Sequence, residues 1–511
     1  MKTRNFYTGL GMAIFCLGIA ASCTKLDQKV YSVVPDENFW QTPDQIAAGL
    51  APAYQALTGI PNGDLWELNE VSGGEMCVPT RGNDWYDNGA HQAMWLHNWK
   101  SDLYSVNNSW TALFNGIGKA NFTLNAVNSL PTPPDNIENI NAELKVLRAY
   151  YYFMAMDMFG NVPLVTDFNT DPNTVTNSDR KTVFDFIEKE IKDNISLLPD
   201  KSQSTYGRMT KWGAFMVLAK IYLNAQVYTG TARWADCIAA CDSVINSGKY
   251  SLASNYFDNF AVSNDGSSEN IFVVPFDKIN IGGNNWEMQT LHYQSNETYN
   301  LTQSPWNGYC VTADYYNQFD DPDARKSMLL VGQQYDADGI TPLKDAQTNL
   351  PLVFSKYVNE LSNSTDSFRL AGARNVKYHP EAGTGGNQSN DMVIFRLADA
   401  HLMRAEAKLR SGTDLAGALD DVNKIRERAY GSPSYNWTAA DLTLANLYVE
   451  RQRELSWEGW SRQDAIRFGT FGNARKPGKG VDPADGHLNI FPIPAPQLSS
   501  NPNLKQNPGY N

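Results

Sequence analysis

Cysteine, histidine and contiguous charge are all scarce in this chain of 511 residues. Its six cysteines are too few and too widely spaced for the dense disulfide framework that staples small secreted domains. The four beyond the amino-terminal segment, Cys77, Cys237, Cys241 and Cys310, have no CxxC partner that would make a metal site, and are expected to be buried apolar side chains. The six histidines are dispersed without zinc-protease spacing, and His401, inside a helical pattern, reads as structural. There is no GxSxG elbow, no GxxxxGK[ST] phosphate cradle and no GxGxxG after a strand. No EF-hand spacing occurs, so neither a metal site nor a cofactor is expected. Basic residues number 42 against 55 acidic ones, a net charge of −13, and no Lys/Arg run supplies the footprint that a phosphate backbone requires; nucleic-acid binding is excluded. After the first two dozen residues no apolar run approaches the roughly 18 residues of a membrane helix.

What the chain has in abundance is aromatic surface: 13 Trp, 25 Tyr and 22 Phe make up 12% of it. With 42% hydrophobic and 19% charged residues the composition is that of a globular protein long enough to bury a large core. The amino terminus carries Lys2 and Arg4, then an apolar stretch from Leu10 to Ala21, and reads as a signal peptide over residues 1–22. Its end, Gly18-Ile19-Ala20-Ala21-Ser22-Cys23, resembles the lipobox of bacterial lipoproteins, which implies acylation of Cys23. Lipid chains add about 0.8 kcal/mol per buried CH₂, so two or more anchor stably; residues 23–35 then act as anchor and tether, and 36–511 form the domain.

Helical periodicity recurs along that domain. Leu147, Tyr151, Met154 and Met158 fall on one stripe, as do Ala214, Leu218, Ile221 and Ala225, then Trp234, Ile238, Cys241 and Ile245. The pattern returns at Ala398, Leu402, Ala405 and Leu409 and, after Gly412, at Leu415, Ala418, Val422 and Ile425. Segments 213–247 and 396–430 therefore read as tetratricopeptide-like hairpins, scattered rather than tandem. An all-α scaffold results, with a loop-rich insertion over about 250–390 in which Ile271-Phe272-Val273-Val274 predicts one short strand. The run from Glu450 to Asp464 mixes charges at helical spacing and is expected to form ion pairs between helices; a catalytic role for Glu454 or Glu458 is the weaker reading.

Rings within polar loops carry the functional signal. Arg81-Gly82-Asn83-Asp84-Trp85-Tyr86 sets two rings among turn formers, with Trp95, Trp99 and Trp110 beyond; Trp286, Tyr293, Tyr299, Trp306 and Tyr309 lie beside amides and glycines. A flat ring stacks on the C–H face of a sugar while neighbouring amide, carboxylate and guanidinium groups bond its hydroxyls. Helical rings such as Trp110 and Tyr151 are expected in the core.

Several stretches, in order along nearly the whole chain, carry a family resemblance. They are Arg148-Ala149-Tyr150-Tyr151-Tyr152-Phe153 with Phe159-Gly160-Asn161-Val162-Pro163-Leu164; Phe395-Arg396-Leu397-Ala398-Asp399 with Arg404-Ala405-Glu406-Ala407; Glu450-Arg451 with Glu454-Leu455 and Glu458-Gly459; and Phe491-Pro492-Ile493-Pro494 with Gln506-Asn507-Pro508-Gly509-Tyr510. Together with the lipobox they resemble the SusD/RagB family of Bacteroidota outer-membrane lipoproteins. The resemblance implies an outer-membrane protein, lipid-anchored at Cys23 and facing the cell exterior, that captures oligosaccharides and delivers them to a SusC-like TonB-dependent transporter without being an enzyme. Its glycan-binding residues are expected among Trp85, Asp84, Asn83, Arg81, Tyr86, Trp306 and Tyr309, the indoles and phenols stacking and Asn83, Asp84 and Arg81 orienting the sugar. The alternatives are a peptide-uptake or transporter-interaction subunit and a lipid-anchored glycoside hydrolase.

Overall fold

The structure, a computed structural model, describes residues 39–510. The signal segment 1–22, the acylation at Cys23 and the tether to residue 35 lie outside the described residues.

Helices dominate, as the periodicity predicts. The first is α1 (Pro43–Gln55), opened by a Thr42/Gln45 capping box, and the second α2 (Asp64–Gly73). Two long helices follow, α3 (Tyr104–Asn128) and α4 (Ile137–Phe159). Then come α5 (Arg180–Asn194), α6 (Lys211–Leu223) and α7 (Trp234–Ile245). Beyond the insertion lie α8 (Leu397–Ser411), α9 (Leu415–Tyr430), α10 (Leu444–Glu454) and the short α11 (Ser461–Arg467). Helices α3 and α4, α4 and α5, α6 and α7, and α8 and α9 pack pairwise, and α7 joins α8 across the insertion. The two expected hairpins are present, α6/α7 turning near Gly230 and α8/α9 at Gly412, both with positive φ as a left-handed helix cap requires.

One expectation is revised. Helix α4 was expected to be one-sided, yet from Val146 to Phe159 every residue is buried, because Tyr150, Tyr151, Tyr152 and Phe153 cover the whole circumference. It is the central rod of the core, approached so closely by α3 that a Cβ on Gly116 would lie 2.5 Å from the Tyr151 ring.

The predicted strand forms as β1 (Asn270–Val274) and pairs antiparallel with β2 (Met392–Arg396), with a register irregularity around Ile394. Sequence patterning begins the helical segment at residue 396; Arg396 instead ends the strand and occupies the N-cap position of α8. Between α7 and β2 the chain runs through one-turn helices and two-residue strand pairs.

The mixed-charge run of α10 and α11 is a buried ion-pair lattice. Glu454 accepts from Arg325 at 2.8 Å and also from Arg396 and Arg428; Arg451 lies 2.7 Å from Asp464, and Arg467 holds Glu406 and Asp464, each at 2.7 Å. Burial alone would raise the Glu454 carboxyl, but the Arg428, Arg396 and Arg325 guanidiniums hold it well below the usual carboxylate range. The lattice ties α8, α9, α10 and the insertion into one body.

Candidate functional site

Helix α2 ends at Gly74, whose φ of +93° turns the chain into the extended segment 76–81. There Cys77 pairs with Cys310, and Thr80–Arg81 runs parallel to Ser362–Asn363. Arg81 and Asp84 then exchange backbone hydrogen bonds of 3.0 and 3.1 Å across Gly82 and Asn83, which pushes Asn83 and Asp84 into solvent. Three non-glycine residues directly after this turn, Trp85 (φ +62°), Asp87 (+41°) and Asn88 (+52°), hold left-handed backbone. Such residues cost on the order of 1–3 kcal/mol each and persist only when their surroundings over-determine them.

The surroundings of Trp85 do so. Its Nε1 donates to the carbonyl of Trp306 at 2.7 Å, and its carbonyl accepts from Thr80 Oγ1 at 3.2 Å. Its ring stands edge-on to Tyr309 and His91, with centroids 5.2 and 5.6 Å away. The other face lies on Gly308, where a Cβ would come within 2.3 Å of the indole, so only glycine admits the ring. The 306–309 segment is pinned in turn to the one-turn helix Trp286–Thr290: Trp306, Gly308 and Tyr309 donate backbone N–H bonds to Met288 and Gln289.

The expected site residues divide accordingly. Trp306 and Tyr86 are exposed, at 41% and 56%, and Trp85 is half-buried between them and the core. Asp84 is exposed and accepts from the Tyr293 hydroxyl, while the exposed Asn83 amide makes no hydrogen bond among the described residues. Two expectations are corrected. Arg81, 2% exposed, donates Nε to the Asn307 carbonyl at 2.9 Å and Nη1 to that of Phe368 at 2.7 Å; it braces the two loops and has no donor left facing solvent. Tyr309, also 2% exposed, gives its hydroxyl to Glu67, which lies 3.4 Å from His91. Burial alone would lower His91; Glu67, with Asp87 and Asp64, outweighs it and raises the imidazole above its ordinary value. Tyr309 therefore supports Trp85 from below.

Beside Asp84, residues that the sequence did not assign to the site complete the surface. Asp84, Tyr293, Gln294, Asp345, Gln347 and Arg369 line an open cleft of about 430 Å³. The Arg369 guanidinium lies over the Tyr293 ring at 4.8 Å and pairs with the buried Asp345 at 2.6 Å, so its charge is neutralised on the spot. Tyr293 was legible as a loop ring; Arg369 and Asp345 carry no local signal, being brought in from other parts of the insertion. Several other rings expected in loops are core instead: Trp95, Trp99 and Trp286 are at most 4% exposed, Trp95 lying in the short helix Ala90–Leu96 and Trp286 opening the helix Trp286–Thr290. A larger cavity of about 870 Å³ near Tyr510 offers no free indole, since Trp99 is buried there with Nε1 donating to Tyr510 Oη. Among the described residues no three metal-ligating side chains converge.

Comparison with known proteins matches this architecture. The family described as "Starch-binding associating with outer membrane" matches residues 26–223, and the SusD family matches residues 268–510. A protein named starch-binding protein SusD, from Bacteroides thetaiotaomicron, is 27% identical over 410 residues, 72% of each chain. SusD-like protein P25 of Formosa agariphila is 23% identical across 100% of this chain and 99% of its own. Among solved structures, one titled laminarin binding SusD-like protein superposes with a TM-score of 0.71 at 25% identity, covering 92% of this chain and 100% of that one. Surface glycan-binding protein A from Bacteroides fluxus gives 0.72 at 20% identity, with the same coverage.

Proposed function

Because the chain belongs to the SusD/RagB family, we propose that it binds oligosaccharides on the face formed by Trp306, Tyr86 and the Asp84–Tyr293–Arg369 cleft. Family membership sets aside the hydrolase alternative, since its members are carbohydrate-binding proteins rather than enzymes. The observation that carries the reading is the exposed Trp306 indole, 41% accessible although its backbone is fixed on both sides. A rigid, half-bare indole beside exposed amide and carboxylate groups provides a stacking platform with polar rims, and little ordering entropy is lost on binding.

The ligand is an uncharged glycan. Arg81 is buried and Arg369 is paired with Asp345, whereas Asp84 and Asp87 stand exposed on the same face, so a uronate or sulfate would meet like charge. The protein is anchored through Cys23 at the outer membrane, faces outward, and hands its cargo to a SusC-like TonB-dependent transporter. Modest affinity suits that transfer, because shallow sites exchange water hydrogen bonds for sugar ones at little net gain.

Isothermal calorimetry against a panel of neutral oligosaccharides tests the proposal. At least one should bind, and Trp306→Ala should weaken it by about tenfold, the equivalent of roughly 1.4 kcal/mol of lost stacking. Heat from a peptide mixture with none from any glycan would replace this reading with peptide uptake.

A further inference from the structure

We propose that Cys77 and Cys310 are a disulfide-forming pair that fastens the 303–311 segment to the extended segment after α2 when the protein matures in an oxidising compartment. The two residues face each other in an isolated antiparallel bridge: Cys77 N donates to the Cys310 carbonyl at 2.8 Å and Cys310 N to the Cys77 carbonyl at 2.9 Å. Residues that exchange both bonds have Cα atoms about 5.5 Å apart, inside the window that a disulfide spans. The Cys310 side chain lies on the Cys77 side of the bridge, its Sγ donating to the Cys77 carbonyl oxygen at 3.3 Å and accepting from Arg81 Nη2 at 3.5 Å. Room for it is reserved by Gly372, where a Cβ would come within 2.3 Å of that sulfur. Both side chains are completely buried, and both are thiols in the structure.

Sealed sulfurs cannot meet an external oxidant, so pairing must precede the docking of the 303–311 segment. The donor is a protein disulfide of the thiol–disulfide exchange class. One thiol, as thiolate, attacks that disulfide and forms a mixed disulfide; the second attacks the mixed disulfide, closing the Cys77–Cys310 bond. The two cysteines lose two protons and two electrons, and the donor departs as a dithiol. Once docked, Cys310 would be raised by burial alone, but the Cys77 thiol and the Arg81 and Arg374 guanidiniums bring it below its ordinary value.

The proposal rests on export by the 1–22 signal, and the experiment separates the two. The full chain is expressed with its leader, isolated from the cell envelope, acid-quenched, denatured and alkylated without reduction, then digested for mass spectrometry. A peptide pair linked through Cys77 and Cys310, lost on treatment with dithiothreitol, is the expected result. The melting temperature of the Cys77→Ala/Cys310→Ala double variant should lie about 5 °C below that of the oxidised protein, while the oxidised protein carried through denaturing reduction and refolding should match the variant. Alkylated Cys77 and Cys310, or a bond from either to Cys237 or Cys241, overturns the proposal. If the Met1 peptide is still attached, export is what has failed; refolding in a glutathione redox buffer then decides the pairing by the same linked peptide, whose absence also overturns it.

Discussion

At the scale of single residues, the candidate site separates rings that meet solvent from rings that hold them in place. Trp306 has its backbone tied on both sides and its indole free, whereas Trp85 is wedged between Gly308 and the Tyr309 and His91 rings. Their alanine variants should differ in kind. Trp306→Ala is expected to change the melting temperature little, within about 0.5 kcal/mol of wild-type stability. Trp85→Ala removes a half-buried ring and the Nε1 bond that fixes the Trp306 carbonyl, so it should cost about 2–3 kcal/mol and glycan retention together. Affinity electrophoresis beside calorimetric melting distinguishes the two; a Trp85→Ala protein as stable as wild type would show that the ring does not brace the loop.

At the scale of elements, two buried electrostatic arrangements set how the scaffold responds to mutation and pH. Glu454→Gln leaves Arg325, Arg396 and Arg428 around a neutral amide, and breaking a buried pair by removing one partner costs about 3–5 kcal/mol. Chemical denaturation should register that loss as a lower midpoint. The second arrangement lies in the one-turn helix Trp286–Thr290 that carries the Trp306 loop. Burial pushes the Glu287 carboxyl up to about 8, with backbone N–H groups and Gln388 offsetting only part of the shift. Between its ordinary value of 4.5 and about 8, the folded protein holds a proton that the unfolded chain releases, so this group's stabilisation is complete below pH 4.5 and is lost as pH rises to 8. Glu70, raised to about 7 by burial, acts in the same sense. His97 and His292, lowered to about 4 by burial, act oppositely but only below their ordinary 6.5. Across the window from pH 6.5 to 8 the raised His91 acts with the carboxyls and the lowered Cys310 thiol opposes them, so the Glu287 share is read by difference: the melting temperature of Glu287→Gln should fall less across it than that of the wild type. An unchanged slope in the variant would mean that Glu287 is ionised in the folded state.

At the scale of the whole molecule, the net charge of −13 and the exposed carboxylates on the proposed glycan face act together. Retention of a neutral glycan should be indifferent to salt, because no ion pair with the ligand is involved. Retention of a sulfated or uronic polymer should be weaker at low salt and recover as the Debye length shrinks from about 30 Å at 0.01 M to 3 Å at 1 M. Native affinity gels run at two ionic strengths report this directly, and tighter binding of the anionic polymer at low salt would contradict the uncharged-ligand reading.

The sequence by itself determined the helical scaffold, because burying an apolar stripe every 3.6 residues leaves few other backbone solutions, and α6 through α9 follow from Ala214, Trp234, Ala398 and Leu415 onward. It also determined that the charges from Glu450 to Asp464 would pair with neighbouring elements, but not which partners they would find: Glu450 meets Arg325, and Glu454 meets Arg325, Arg396 and Arg428. What local pattern cannot encode is which side of a polar loop turns inward. Arg81 and Tyr309 look like binding groups among glycines and amides, and only the docking of the 303–309 and 362–370 segments against 80–85 seals them. Asp84, Tyr293, Asp345 and Arg369 meet for the same reason: their cleft exists only where separate loops cross, and a crossing is fixed by long-range packing rather than by neighbours in the chain.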